Sequence, residues 1–206
     1  MLEVKDATIA IGEKVLAQGL SFAARDGQLT CITGSEGAGK TALLRTLMGF
    51  LPVREGFVSV DGELLTVRSA HAFRTMMVYL PQQMQMLRHQ LMPPEAPVCE
   101  PDEQAVWEPL LPSLEDRMGE TAPGLVTPLS ADEIFSLASE TLRQATDKPI
   151  VIADEPAALL TFDLTQRMLE LLREQAAAGK TVLITSRKGE VIANADQIID
   201  LEKVKR

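Results

Sequence analysis

A chain of 206 residues, 46% of them hydrophobic and 24% charged, carries enough apolar side chain for one compact globular unit and too much for a disordered one. Its formal net charge of −9 argues against a broad nucleic-acid surface, which needs clustered Lys and Arg, so no nucleic-acid partner is expected. No uncharged apolar run is long enough for a membrane span, and the opening Met1-Leu2-Glu3-Val4-Lys5-Asp6 lacks the apolar stretch of a secretion signal, which points to a cytoplasmic location. Cys31 and Cys99 are too few for a disulfide framework or a metal cluster. They read as reduced thiols, Cys31 as core packing.

Apolar residues alternate from Leu2 to Phe22, and Leu29-Thr30-Cys31-Ile32-Thr33 reads as a short buried strand. The next eight residues, Gly34-Ser35-Glu36-Gly37-Ala38-Gly39-Lys40-Thr41, fit the pattern G-x-x-x-x-G-K-[ST] at every fixed position. Leu43, Leu44, Leu47 and Met48 then recur at helical spacing until Gly49 ends the run. Strand, glycine loop and helix together form the context in which this pattern holds a nucleoside triphosphate. The glycines let consecutive N–H groups turn toward one anion, Lys40 supplies a point charge to the outer phosphates, and the Thr41 hydroxyl can ligate a hydrated Mg2+. The start of the helix adds its partial positive charge and unpaired N–H groups.

Gly56-Phe57-Val58-Ser59-Val60-Asp61-Gly62 and Val78-Tyr79-Leu80-Pro81-Gln82 follow. From Pro81 to Pro128 the composition changes, with nine of the 12 prolines. Long helices cannot run through Pro93-Pro94, Pro97, Pro101, Pro109 or Pro112, so short helices and extended links are expected. Trp107, Leu110, Leu111 and Leu114 there supply either a contact surface or packing beneath a lid. Ser130-x-x-Glu133 is a capping box opening a helix whose buried face carries Ile134, Leu137, Ala138 and Leu142.

Ile150-Val151-Ile152-Ala153-Asp154-Glu155-Pro156 is an apolar strand ending in two carboxylates. Beside a phosphate loop the first, Asp154, can hold Mg2+ through water, and the second, Glu155, can orient or deprotonate an attacking water. Leu164, Met168, Leu171 and Leu172 share a helical face, Gly179 stops that helix, and Thr181-Val182-Leu183-Ile184-Thr185 is the next buried strand. Strand and helix alternate as βαβ units require.

In this order the features resemble the ATP-binding subunit of ABC transporters over nearly the whole chain. The resemblance implies an α/β P-loop NTPase of ABC type, with a mixed sheet core, helices on both faces and an N-terminal antiparallel β part opened by the Leu2 to Phe22 strands. Residues 1–206 would form one ATPase domain, with 1–82 and 150–206 as nucleotide-binding core and 83–149 as a reduced, proline-rich helical lid. Gly56 to Gly62 is similar to the family's strand and turn after the first helix, and Ala195 to Leu201 to its last short strand. Gln82 would contact the metal and the lytic water. ATP and Mg2+ are the implied ligands, Lys40, Gln82 and Glu155 the catalytic residues, and Thr41, Gln82 and Asp154 the metal-side residues.

The chain also departs from the family pattern. Leu129-Ser130-Ala131-Asp132-Glu133 stands where the family has Leu-Ser-Gly-Gly-Gln, which covers the terminal phosphate held by a facing subunit. Two carboxylates on that turn repel an anion at close range. Either helix capping alone or a retained clamp accounts for them. The family's switch histidine is replaced by Ser186, followed by Arg187 and Lys188, which read either as solvated loop charges or as substitutes for its charge. The segment after Pro156 is two residues longer and more apolar than is usual, leaving Asp163 as a helix cap, and Ile11 takes the place of an adenine-stacking aromatic.

The resemblance therefore implies an ATP-binding subunit that hydrolyses Mg-ATP slowly, driving dimer closure beside a membrane-spanning permease in another chain. A homodimer would lack the glycine signature at both composite sites, whereas a heterodimer with an intact subunit would supply one. Location at the cytoplasmic face of a membrane would follow from the permease. The alternatives are a nucleotide-binding regulatory or assembly module without hydrolysis, and an ABC-like ATPase acting on a soluble partner.

Overall fold

The computed structural model describes residues 1–84 and 128–204. Two sheets divide the strands by direction. The first, antiparallel and ordered β2-β1-β4-β5, is built from β1 (Leu2–Ile11), β2 (Lys14–Ala24), β4 (Glu55–Val60) and β5 (Glu63–Leu64). The alternation from Leu2 to Phe22 thus folds as a long hairpin, with Ile11 opposite Lys14. At its closest crossing with β4, Gly56 has φ 74°, and a Cβ there would lie 2.2 Å from the Lys5 carbonyl oxygen, so only glycine fits.

The second sheet is parallel, ordered β6-β7-β8-β3-β9, from β3 (Leu29–Thr33), β6 (Met77–Leu80), β7 (Ile150–Asp154), β8 (Thr181–Thr185) and β9 (Gln197–Asp200). Both faces are covered, which explains why these strands read as continuous apolar runs. The period of two sorts their side chains. Ile32, Ile150, Ile152 and Leu183 join the core shared with the antiparallel sheet and α1 (Lys40–Leu47). Leu29, Cys31, Val151, Ala153, Val182 and Ile184 point the other way, into the core shared with α3 (Ala131–Gln144) and α4 (Phe162–Ala177). Short helices α2 (Ala70–Thr75), α5 (Gly189–Ala193) and α6 (Leu201–Val204) complete the described chain.

Helix boundaries follow local chemistry. The α1 face that carries Leu43, Leu44 and Leu47 is fully buried, each side chain contributing roughly 1.5–3 kcal/mol by removal from water. At α3, Ser130 accepts the Glu133 N–H at 3.3 Å while Glu133 Oε2 accepts the Ser130 N–H at 2.8 Å, so both halves of the capping box form. The cap of α4 differs from expectation. Thr161, in extended backbone, accepts the Leu164 N–H at 3.4 Å, and Asp163 falls inside the first turn, where its charge complements the helix dipole. No helix among the described residues is long and apolar enough to cross a membrane.

Candidate functional site

The glycine loop joins the carboxyl end of β3 to the first turn of α1. Gly39 stands at the N-cap with φ 99°, and a Cβ there would approach Leu16 Cβ to 2.9 Å, so the residue must be glycine for β2 and the loop to pack. No side chain caps α1, which leaves its first N–H groups to backbone, solvent or an anion. Lys40 is buried, and its ammonium donates to the carbonyl oxygens of Gly34 at 2.9 Å and Ser35 at 3.0 Å. The lysine is thus folded back over the loop it follows.

Because β7 is separated from β3 only by β8, Asp154 and Glu155 arrive beside this loop. Asp154 is buried, with Oδ2 accepting from Thr41 Oγ1 at 2.7 Å and Oδ1 from Thr185 Oγ1 at 2.6 Å. Glu155 takes φ 47°, unusual for a residue with a side chain, and its N–H donates to Thr185 Oγ1 at 2.8 Å. That hydroxyl therefore serves both acids at once. Sequence reading assigns Thr185 only to a strand. Its signal is positional: it is the polar last residue of β8, in register with Asp154.

Arg187 is exposed yet ion-paired. Its Nε lies 3.2 Å from Glu155 Oε1, its Nη2 donates to Glu155 Oε2 at 3.4 Å, and its Nη1 donates to Glu36 Oε2 at 3.2 Å. Glu155 Oε1 is also 3.5 Å from Lys40 Nζ. Lys188 turns elsewhere, donating to the Leu160 carbonyl oxygen at 3.1 Å, and the buried Ser186 accepts the Lys188 N–H at 3.1 Å. Glu155, Lys40 and Arg187 border a cleft of about 410 Å³ lined also by Lys14, Glu36, Gly39, Thr41 and Gln82, with Ile11 and Leu16 along its wall. Ile11 is half exposed there and presents an aliphatic surface rather than an aromatic ring.

The donors present fit a Mg-nucleotide. Thr41 and Asp154 offer a hydroxyl and a carboxylate in direct contact, the hard oxygen set that Mg2+ takes while keeping water and phosphate in its other positions. No cluster of three or more His, Cys, Asp or Glu residues suited to a metal ion exists among the described residues.

Comparison with known proteins agrees with this arrangement. Residues 17–158 match the family described as ABC transporter. The chain belongs to that family. An ABC transporter ATP-binding/permease protein of Mycobacterium tuberculosis is 29% identical over 211 aligned positions, covering 96% of this chain and 24% of its own length. The Nod factor export ATP-binding protein I of Burkholderia orbicola is 31% identical over 192 positions, covering 85% of this chain and 59% of its own. The chain thus spans less than two thirds of each relative. Among solved structures, the dimeric structure of a bacterial ABC transporter cassette superposes with a TM-score of 0.68 at 19% identity, covering 100% of this chain and 97% of the other. A cassette in a dimeric post-hydrolysis state, bound to ADP and Pi, gives 0.67 at 18% identity over 97% and 94% of the two chains. At such identities these likenesses establish the ABC fold.

Within this ABC fold the segment Leu129 to Glu133 is a helix start, with Asp132 and Glu133 exposed in its first turn. The longer link after Pro156 buries Ala157 and Leu160 and leaves Leu159 and Phe162 largely exposed. Cys99, Trp107, Leu110, Leu111, Leu114 and the prolines from Pro93 to Pro123 lie outside the described residues.

Proposed function

We propose that this chain is the ATP-binding subunit of an ABC-type transporter, binding Mg-ATP in the cleft above the glycine loop and hydrolysing it slowly. The observation carrying this reading is the convergence on one cleft of Lys40 and Thr41, from the start of α1, with Glu155, from the end of β7, while Asp154 stands behind Thr41 and accepts its hydroxyl. Thr41 and Asp154 would hold Mg2+, with Gln82 at the same cleft, and the ion when bound offsets charge on the phosphate oxygens. Lys40 and the backbone N–H groups of residues 34–41 would stabilise charge on the transferring phosphoryl group. Glu155 would orient the attacking water, a role consistent with its largely buried carboxylate at the cleft wall.

Dimer closure, whether with a second copy or with a different ABC subunit, would move a membrane-spanning permease in another chain and hold this subunit at the cytoplasmic face of the membrane. Residues 83–149 would form the lid that meets it. The test is equilibrium nucleotide binding together with turnover for wild type, Lys40→Ala and Glu155→Gln. Lys40→Ala is expected to weaken Mg-ATP binding at least tenfold, and Glu155→Gln to keep binding while losing turnover. Equal activity in all three overturns the catalytic assignment. Tight binding by wild type with no product in a single-turnover experiment favours a binding module instead.

A further inference from the structure

Arg187 takes no part in the glycine loop or in the acidic strand, yet it holds both. Its fork spans from Glu155, just past the end of β7, to Glu36 in the loop, and Glu155 Oε1 is shared between Arg187 Nε at 3.2 Å and Lys40 Nζ at 3.5 Å. One carboxylate oxygen therefore marks a point that two cations reach from different sides of the cleft, Lys40 from the start of α1 and Arg187 from the turn after β8. The Arg187 side chain is 46% exposed, and its second partner, Glu36, is 90% exposed, so that pair is screened by water and readily exchanged. An anion that docks on Lys40 and carries further oxygens comes within the span that Glu155 Oε1 already bridges. A phosphate group offers the planar guanidinium two acceptors and more charge than a carboxylate does. The neighbouring residues are placed otherwise: Lys188 Nζ donates to the Leu160 carbonyl, and Ser186 is buried and does not line the cleft.

We infer that Arg187 is a specificity residue of the nucleotide site, taking up the terminal phosphate of a nucleoside triphosphate in place of Glu36 and Glu155. It thereby separates triphosphate from diphosphate. Because the same exchange frees the Glu155 carboxylate from the guanidinium, the acid becomes available only when a terminal phosphate is present. This inference rests on the nucleotide-binding reading above.

The experiment is calorimetric binding of ADP and of the β,γ-imido analogue of ATP, each with Mg2+, to the full chain as wild type, Arg187→Ala and Arg187→Lys. Wild type is expected to bind the analogue more tightly than ADP. Arg187→Ala is expected to weaken the analogue roughly 10-fold or more, the loss of one charge-assisted contact, with ADP affinity held within twofold. Arg187→Lys, which keeps the charge and loses the fork, is expected to fall between them. Since the ratio of the two affinities within each variant is the readout, a partial loss of folded protein cancels. An unchanged ratio in Arg187→Ala, an equal loss for both nucleotides, or a wild type without preference overturns the inference while leaving nucleotide binding standing. A wild type that binds neither overturns the nucleotide-binding reading itself.

Discussion

Replacing Thr185 by Val tests whether one hydroxyl holds the acidic pair in place. The exchange swaps a hydroxyl for a methyl of similar shape at a fully buried position, so no cavity forms and the polar contacts are isolated. Two contacts go: the 2.6 Å donation to the buried Asp154 carboxylate and the 2.8 Å acceptance of the Glu155 N–H. A hydrogen bond to a charged group is worth about 1.5–3 kcal/mol, and an N–H left without its acceptor costs about 1–3 kcal/mol more when buried. Asp154 retains Thr41 as a partner, so the lower part of the sum, about 3 kcal/mol, is the expected loss. For a chain of this length that lowers the thermal midpoint by roughly 6–12 °C. Circular dichroism melts and urea midpoints measure it, with an unchanged urea slope showing that the folded and unfolded states stay comparable. Thr185→Ser, which retains the hydroxyl, should lose only about 1 kcal/mol for its missing methyl. If Thr185→Val melts within 2 °C of wild type, or if the serine variant is equally damaged, the hydroxyl does not do what its geometry indicates.

Ser130→Ala removes one half of the capping box at α3 and should cost about 1 kcal/mol, seen as a midpoint lower by roughly 2–4 °C. Gly56→Ala forces a Cβ to 2.2 Å from the Lys5 carbonyl at φ 74°, and strain plus overpacking should cost about 2–5 kcal/mol in urea unfolding. Burial pushes the Cys31 thiol from 9.0 up to about 11, so in a Cys99→Ser background Cys31 should resist alkylation at pH 8 until the chain unfolds. Burial, with the Asp154 charge as a lesser cause, likewise pushes the Tyr79 hydroxyl from 10.0 to about 12. Both groups are raised in the folded state, so their contribution is full below the unfolded values and declines as pH rises toward the folded ones. The urea midpoint should fall between pH 9 and 11.5, and Tyr79→Phe should flatten the upper part of that fall.

Much of the site is legible in the sequence because its patterns are local. The glycine loop has all its fixed residues within eight positions, the acidic pair ends one strand, and Ser130 and Glu133 are one helical turn apart. Each of these short-range patterns names its own geometry. The role of Thr185 and the partners of Arg187 escape for the opposite reason. Their contacts run to Glu155 and, for Arg187, to Glu36, and they exist only because the parallel register sets the ends of β7 and β8 level. A threonine ending an apolar strand and an arginine in a short turn carry no signature of their own. The α4 cap misleads differently: Asp163 is a good capping residue, but Thr161 is better placed by backbone conformation, and a shift of two residues decides it. In the sheets, apolar patterning finds the strands and the family resemblance anticipates an antiparallel N-terminal part, while the strand orders β2-β1-β4-β5 and β6-β7-β8-β3-β9 emerge only from pairing.

The place of β3 in its sheet bears on how the protein is made. Its neighbours are β8 and β9, so Leu29 waits for Val182 and Thr30 for Gln197 before either edge of the strand is paired. The antiparallel sheet, by contrast, is complete once Leu64 has emerged. At ~5–20 residues per second the interval before β3 is enclosed is on the order of 10–30 s, during which an apolar strand and the glycine loop attached to it have no sheet around them. The segment with the clearest chemical signature is thus among the last to acquire its structure on the ribosome, and nascent-chain quality control has its longest access there.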